Sequence, residues 1–397
     1  MKPLDGILVI DLSRILSGPY CSMMMADMGA EVIKVEIPGK GDDTREFGPP
    51  FVNGESTFFM SINRNKKSLT LNLADKEGKE ILRRLIEKGD VVIENFRYGV
   101  MDRLGFSYDY IKKINPRAVF CSISGFGHSG PYRERPGYDV MIQGEGGVMS
   151  LTGEPGGLPM KVGVSQADIT AGLLAYSGIL LALISRGKTG EGQHIDISML
   201  DGQVALLTYH AASYFVTGEN PPRLGNRHPT IAPYEPVKTG DGKEYIILAV
   251  GNDSIWQKFC KLVNRGELIT NPMFATNPKR VENHDALLPI VEQILSAKSK
   301  REWLALLTDA GIPCGDIKTV KEVCTDPQVL AREMVVDLDH SVAGKIKVTG
   351  IPIKMSATPG EVLTPPPTLG QHTDEILSKT LGYSKEKIEE LKKNKVV

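Results

Sequence analysis

The sequence predicts an α/β fold, with a mainly parallel sheet flanked by helices in a large domain and a smaller α+β domain beside it. Three observations carry this. Short apolar runs at residues 6–11, 30–36, 90–94 and 118–124 alternate with helical stretches. Strands separated in this way pair in parallel, since a parallel connection needs a crossover of a dozen or more residues. A long apolar stretch at 168–186 reads as a helix and is followed by an alternating strand at 193–198. Beyond about residue 220 the pattern turns mostly helical, and this shift in composition marks the second domain.

Taken in order, the run at 6–11 is apolar until Asp11 ends it, as expected of a buried strand. Ser17-Gly18-Pro19 opens a helical stretch to Met28, and Pro19 suits an early helical position where its missing N–H costs nothing. Residues 30–36 form the next strand, 68–73 alternate as another, and 75–88 form a helix with Lys and Glu on its wet face. Strands follow at 90–94 and 118–124, and 125–167 is dense in Gly and Pro. The helix at 168–186 is apolar nearly all round and is expected to be buried. Residues 188–192 turn, 193–198 alternate as a strand, and 199–215 read as one long helix. Residues 218–242 collect Gly, Pro and Asn, and 243–250 form a strand. Helices are expected at 255–263, 287–295 and 300–309, and strands and polar turns from about 335. Thr364-Pro365-Pro366-Pro367-Thr368 is a stiff spacer.

Composition excludes several classes. The chain has 397 residues, enough for two or three domains at ~150 residues each. Its hydrophobic fraction of 41% argues against disorder. The 47 Lys and Arg nearly balance the 48 Asp and Glu, so no global basic field exists to bind nucleic acid. The five cysteines form no C-x-x-C pair, which argues against a zinc site or a disulfide framework. The run at 6–10 is too short for the apolar core of a secretion signal. The stretch 171–185 falls short of the ~18 residues of a membrane span. The expectation is a soluble cytoplasmic protein with no nucleic-acid or membrane partner.

The motifs taken singly leave alternatives open. Ser13 to Gly18 follows the first strand, where a dinucleotide fingerprint would lie, but G-x-G-x-x-G spacing is missing. Asn63-Arg64-Asn65-Lys66-Lys67 is either solvated charge or a phosphate contact, as is Asn95-Phe96-Arg97 at a strand's carboxyl end. Asp168 opens the most apolar helix, either as an ordinary N-cap or as a carboxylate kept ionised by N–H donors and the helix dipole, hence a usable nucleophile. The histidines are scattered without metal-ligand spacing, and no metal is expected.

Together the segments resemble the class III CoA-transferases, the family of formyl-CoA transferase and carnitine CoA-transferase. The resemblance rests on Leu12-Ser13-Arg14 with Gly18-Pro19, residues 29–36, Gly41-Asp42-Asp43-Thr44-Arg45, residues 63–68 and Glu94-Asn95-Phe96. It continues through Asp102-Arg103-Leu104-Gly105, residues 125–131, Asp168 with 172–183, and Lys188-Thr189-Gly190-Glu191-Gly192-Gln193. Gly311-Ile312-Pro313-Cys314-Gly315 and Gly370-Gln371-His372-Thr373 complete it. Residues 48–51, 55–58 and 63–67 look most like the succinyl-CoA–dicarboxylate branch, such as succinyl-CoA:glutarate CoA-transferase.

The resemblance implies a Rossmann-like large domain built from both ends of the chain, in an open ring that interlocks with a second copy as a homodimer. The expected division is 1–200 for the large domain, 201–225 for a linker, 226–325 for the small domain, and 326–397 for the return to the large one. It implies that Asp168 attacks an acyl-CoA to form an acyl anhydride, then an aspartyl-CoA thioester, which a free carboxylic acid resolves. Coenzyme A is then a substrate, and no cofactor is tightly bound. Ile15, Leu16, Ser17, Lys66, Lys67, Asn95, Phe96 and Arg103 are the implied CoA contacts. Gly146 and Gly147 are expected to approach the oxyanion. Tyr138, Arg45 and His228 are expected near the acyl or acceptor group, with Arg14 and Arg227 as further candidates for a distal carboxylate. Two departures stand out: Ile37-Pro38 replaces an adenine-stacking Arg, and residues 225–234 replace a tetraglycine loop. The rivals are a 2-methylacyl-CoA racemase and a non-catalytic CoA-binding protein. Pro136-Gly137-Tyr138-Asp139 carries Tyr138 where the racemase pattern has its histidine base, which speaks against the first.

Overall fold

The computed structural model describes all 397 residues. They divide into two compact units: residues 1–148, 161–212 and 327–397 form the first, and 149–160 with 213–326 form the second. The second unit therefore begins with a short excursion that a contiguous division of the sequence misses. The expected linker at 201–225 is instead helical as far as Thr217. The single helix expected at 199–215 is two, Met199–Leu206 and Thr208–Thr217, because Thr208 takes a left-handed φ of 40° between them.

In the first unit the strands are β1 (Leu8–Asp11), β2 (Glu31–Glu36), the short pair β3 (Phe51–Val52) and β4 (Glu55–Ser56), β5 (Lys66–Thr70), β6 (Val91–Glu94), β7 (Val119–Ser124) and β8 (His194–Ser198). Six of them make one parallel sheet in the order β5-β2-β1-β6-β7-β8. β1 pairs with β2 on one side and β6 on the other, so the winding reverses between them. In such sheets ligands bind in the crevice outside the carboxyl ends of the strands at that reversal.

Alternate residues of each strand feed opposite faces. Val9, Val91 and Val119 enter one core with the helices Ser17–Asp27 and Gln166–Thr189. Ile10, Val92 and Phe120 enter the other with the helix Lys76–Lys88, whose Ile81, Leu82, Leu85 and Ile86 are buried. The chain end completes this second core with Ile376, Leu377, Leu391 and Val396. Its approach is fixed at the sheet edge, where Ser68 O accepts from the His372 N–H at 3.0 Å and Ser68 Oγ from the Gly370 N–H at 2.9 Å.

The helix Gln166–Thr189 departs from two expectations. It has 24 residues, so by length and composition it is apolar enough to cross a membrane, contrary to the shorter stretch read from the sequence. Nor is it buried all round. Ala167, Ala171, Ala175, Ile179 and Ala182 form its packed side, while Leu181 is 67% and Ile184 60% exposed. The small side permits close contact with the helix Ser17–Asp27. A Cβ at Gly172 would lie 2.7 Å from Ser17 O.

In the second unit β9 (Tyr234–Thr239), β10 (Glu244–Ala249) and β11 (Cys314–Asp316) form an antiparallel sheet in the order β11-β10-β9. Helices including Asp253–Leu262, His284–Leu295 and Lys300–Asp309 bury Trp256, Phe259, Leu287 and Leu307. The hairpin β12 (Val335–His340) and β13 (Gly344–Thr349) belongs to the first unit.

Within the second unit the buried His284 Nε2 meets Glu235 Oε1 at 2.5 Å. That bond raises the His284 pKa, against a smaller opposing effect of burial. A raised folded pKa adds stability that is complete below the unfolded value near 6.5 and lost as pH rises through the folded value. Glu235→Gln is therefore expected to destabilise the second unit by about 1–2 kcal/mol at pH 6 and much less at pH 9, read by urea unfolding at both.

Candidate active site

Asp11 at the carboxyl end of β1, Lys34 and Glu36 in the later half of β2 and Lys66 at the start of β5 put ionisable residues where most sheets carry aliphatic ones. Asp11, Lys34 and Lys66 are fully buried, and Glu36 and Asp42 nearly so. Lys66 Nζ lies 3.2 Å from Asp11 Oδ2 and also donates to Pro19 O at 2.9 Å and to Asn63 Oδ1 at 2.9 Å. Lys34 Nζ donates to Asp42 Oδ2 at 2.8 Å and to Ser13 O at 2.9 Å. Burial by itself would raise the Asp11 pKa, but Lys66 and Lys34 outweigh it and hold the carboxyl below its usual range. Asp42 stands at about 2, as Lys34 overcomes the same burial. Burial pushes Lys66 down to about 8, with Asp11 opposing.

This network fixes the loop after β1. Asp11 Oδ1 accepts from the Ser13 N–H at 3.0 Å and from its hydroxyl, and Asp11 Oδ2 accepts from Ser22 Oγ at 2.5 Å. Asp42 Oδ1 accepts from the Ile15 N–H at 3.3 Å. Ile15 is held at a φ of 65°, a conformation unfavourable for a β-branched residue that persists only where the surroundings impose it. Asn95, after β6, clamps the other side. Its Oδ1 accepts from the Arg14 N–H at 2.8 Å, and its Nδ2 donates to Arg14 O at 2.7 Å and Ser17 Oγ at 3.2 Å.

Between these loops lies a cavity of about 290 Å³ at the predicted crevice. Ile15, Ser17, Asn95, Phe96, Tyr138 and Asp168 line it, as do Arg14, Arg97, Arg133 and Arg135. Asp168 sits in the first turn of the helix Gln166–Thr189 and lines the cavity together with Ser17, whose hydroxyl has a minor lowering influence on its pKa. Its setting differs from the one read in the sequence. Asp168 does not cap the helix; Asp139 Oδ1 does, accepting from the Ala167 N–H at 2.8 Å and the Asp168 N–H at 3.3 Å. The Asp168 carboxyl is therefore not held low by helix donors. Burial, and then the charge of Asp139, push it up to about 7.

The other expected residues fare unevenly. Lys66 does not face the cavity: its ammonium is consumed in the buried network. Lys67 is partly exposed and bridges Glu31 at 2.8 Å and Glu375 at 3.2 Å. Leu16 packs with Met23 and Ile62 in an apolar cluster away from the cavity lining. Arg103 lies exposed on the helix Val100–Leu104 and is absent from the lining. Arg45 is absent from the lining and engaged elsewhere: its Nε and Nη2 grip Glu36 at 2.7 Å each and its guanidinium stacks on Phe59. Gly146 and Gly147 end a helix, with their N–H groups directed to Ile142 O and Gly144 O, so they do not serve an oxyanion at Asp168. Gly146 is small because a Cβ there would meet Gln203 at 2.3 Å. His228 and Arg227 belong to the second unit, where the His228 ring meets Tyr234 edge-on and Arg227 Nη1 lies 3.5 Å from Asp285.

Arg133 and Arg135 escaped the sequence reading. They sit in the Gly- and Pro-dense stretch after β7, which has no periodicity to flag them. The available signal was their position beyond a strand's carboxyl end. Arg133 lies over the Tyr98 ring and Arg135 over Phe126 and Tyr132. Arg135 also pairs with Glu145 at the exposed rim.

The family model described as CoA-transferase family III matches residues 4–373. The succinyl-CoA:glutarate CoA-transferase of Mus musculus is 42% identical over 391 residues, covering 98% of this chain and 89% of the relative. The succinate–glutarate CoA-transferase of Agrobacterium fabrum is 43% identical over 382 residues, 95% of each chain. The acetyl-CoA:oxalate CoA-transferase of Acetobacter aceti is 42% identical over 355 residues, 89% of each chain. The crystal structure of a CAIB/BAIF family protein from Brucella suis superposes with a TM-score of 0.85 at 44% identity, covering 95% of this chain and 99% of that one.

The raised pKa of Asp168 makes a stability prediction independent of activity. A carboxyl whose folded pKa exceeds its unfolded value of 3.8 costs the fold stability as pH climbs from about 4 to 7. Asp168→Asn keeps an oxygen for Ser17 and removes that cost. It is expected to raise stability by roughly 1–3 kcal/mol at pH 8 and by almost nothing at pH 4, read by denaturant melts at the two pH values.

Proposed function

From the premise that the chain belongs to CoA-transferase family III, and is therefore a CoA-transferase, we propose that it moves CoA from succinyl-CoA to a second dicarboxylic acid, with Asp168 as the nucleophile. The observation that carries this reading is the Asp168 carboxyl itself. It is a desolvated acid that shares its cavity with the Ser17 hydroxyl, at the sheet's winding reversal.

The chemistry balances without a cofactor. The ionised Asp168 oxygen attacks the donor thioester carbonyl, forming an acyl anhydride and releasing CoA thiolate. The thiolate attacks the aspartyl carbonyl, forming the aspartyl-CoA thioester and freeing the donor acid. The acceptor carboxylate attacks that thioester, giving a new anhydride and thiolate. Thiolate attack on the acceptor's carbonyl then yields the new acyl-CoA and restores Asp168. Each intermediate is destroyed by water, so a small, largely desolvated cavity serves the reaction. The Ser17 hydroxyl orients the attacking oxygen, while Asn95 and the buried network hold Ser17.

A dicarboxylate acceptor is supported by the names of the relatives, which include glutarate and oxalate. Among the expected holders of its distal carboxylate, Arg14 lines the cavity. Arg133 and Arg135 take the place of Arg45, because exposed or loosely paired guanidinium groups exchange partners at little cost. The pantetheine and nucleotide of CoA run past Ile15, Ser17, Asn95 and Phe96. A homodimer is part of the proposal, since a second copy would cover the exposed Leu173, Leu174, Leu181 and Ile184 on the helix Gln166–Thr189. The location proposed is the cytoplasm, in keeping with five free cysteines.

Two outcomes test the reading. Incubation with succinyl-CoA, followed by hydroxylamine or borohydride trapping and mass spectrometry, is expected to leave an adduct on the Asp168 peptide. Asp168→Ala is expected to lower transfer by about a thousandfold or more, and full activity in that variant would refute the mechanism. Because the nucleophile is the ionised form, the rate of adduct formation should rise as pH increases from 6 to 8, through the pKa near 7. A rate that falls over that range would assign the attack to another group.

A further inference from the structure

Arg97 and Tyr98 line both the Asp168 cavity and a second one of about 250 Å³. Glu94, the last residue of β6 and only 2% exposed, faces this second cavity. Its Oε2 accepts the Phe96 backbone N–H at 2.7 Å. From there a short path leads to the site: Asn95 holds Arg14 and Ser17, and Ser17 lines the cavity together with Asp168. We propose that Glu94 is a positioning residue, whose carboxylate holds the Phe96 amide and so sets the Asn95–Phe96 turn that receives acyl-CoA beside Asp168. The inference rests on the transferase reading above.

A structural carboxylate would ordinarily be ionised throughout the neutral range. Glu94 is not. Burial pushes it up to about 7, against the Ser122 hydroxyl and the Phe96 N–H, while Asp102 and Asp196 push in the same direction as burial. The groups around it come from every neighbouring element. Ser122 and Cys121 lie on β7, and Cys121 also interacts with Glu94 electrostatically. On β8, His194 Nε2 lies 3.1 Å from Ser122 Oγ, and its pKa is lowered by burial and then by His128, whose ring is 5.5 Å away. Tyr108 and Asp109 from the helix Tyr108–Ile114 and Arg97 from the turn also line this cavity. An ionised carboxylate accepts a stronger hydrogen bond than a neutral acid. The turn is therefore held more firmly as pH rises through 7, and CoA affinity rises with it.

The test uses free coenzyme A as the probe and titration calorimetry as the readout, on the full chain carrying Asp168→Asn so that the nucleophile's own titration is absent. The same chain with Glu94→Gln added serves as its partner, because the phosphates of CoA titrate alike in both. Between pH 6 and 8 the affinity of the first is expected to rise about three- to tenfold more than that of the second. Equal slopes would overturn the proposal. In an otherwise unaltered chain, Glu94→Ala is expected to raise the KM for acyl-CoA about tenfold with a smaller fall in kcat. An unchanged KM would likewise overturn it, and if that variant does not fold the glutamine comparison still decides. The two readings fail separately. A chain with no transfer activity but Glu94-dependent CoA affinity would sink the transferase reading alone. Active transfer with Glu94-independent affinity would sink this one alone.

Discussion

The buried ion pairs at the end of the sheet are the constraint on which the site depends. Moving a charge from water into a protein interior costs several kcal/mol per ion, and only close pairing with full hydrogen bonding offsets it. Asp11, Lys34, Asp42 and Lys66 meet that condition, with each ammonium also satisfied by backbone or side-chain oxygens. A hydrophobic cluster of equal volume would be as stable, but it would not direct donors and acceptors to the Ser13, Ile15 and Thr44 amides. The network gives up stability for geometry. It presents a strained Ile15 and a correctly placed Ser17 to the cavity, and it does so with atoms that themselves never reach it.

Asp168 shows the opposite use of burial. Burial, and then the like charge of Asp139, hold its proton until near neutrality. For a nucleophile this is a compromise. A carboxylate stabilised by many donors stays ionised but attacks poorly, whereas one desolvated without partners is reactive but scarce at low pH. Asp139 mediates between these limits, because it occupies the helix-terminal donors that would otherwise have stabilised Asp168 directly. Gly172 belongs to the same arrangement. Without a Cβ there, the helix bearing Asp168 can lie close against Ser17 O, so that both residues line one cavity.

Most of the fold was legible because its signals are local. Apolar runs at 6–11, 90–94 and 118–124 fall in β1, β6 and β7, and their alternation between two cores follows from strand geometry. The helix break at Thr208 was not legible, since a left-handed φ at a threonine has no compositional signature. Nor was the exposure of Leu181 and Ile184, because hydrophobicity all round a helix does not say which side a domain covers. Among site residues, Asp168, Ser17, Asn95 and Phe96 stood out through motif order. Lys66 and Arg45 carried the same kind of signal and proved to be internal ion-pair members.

The sequence by itself determined the α/β class, the strand and helix order, the family resemblance and the nucleophile candidate, since each depends on residues close together along the chain. Only the tertiary structure decided which charges are spent inside and which face the cavity. Lys66 meets Asp11 across 55 residues, and Asp168 meets Asp139 across 29. Such pairings arise from strand register and helix packing, to which local sequence is blind. They also decide protonation, because a carboxyl's pKa reflects its surroundings in space: Asp42 stands near 2 because Lys34 overcomes its burial, and Asp168 near 7 because it is buried, with Asp139 adding to the effect.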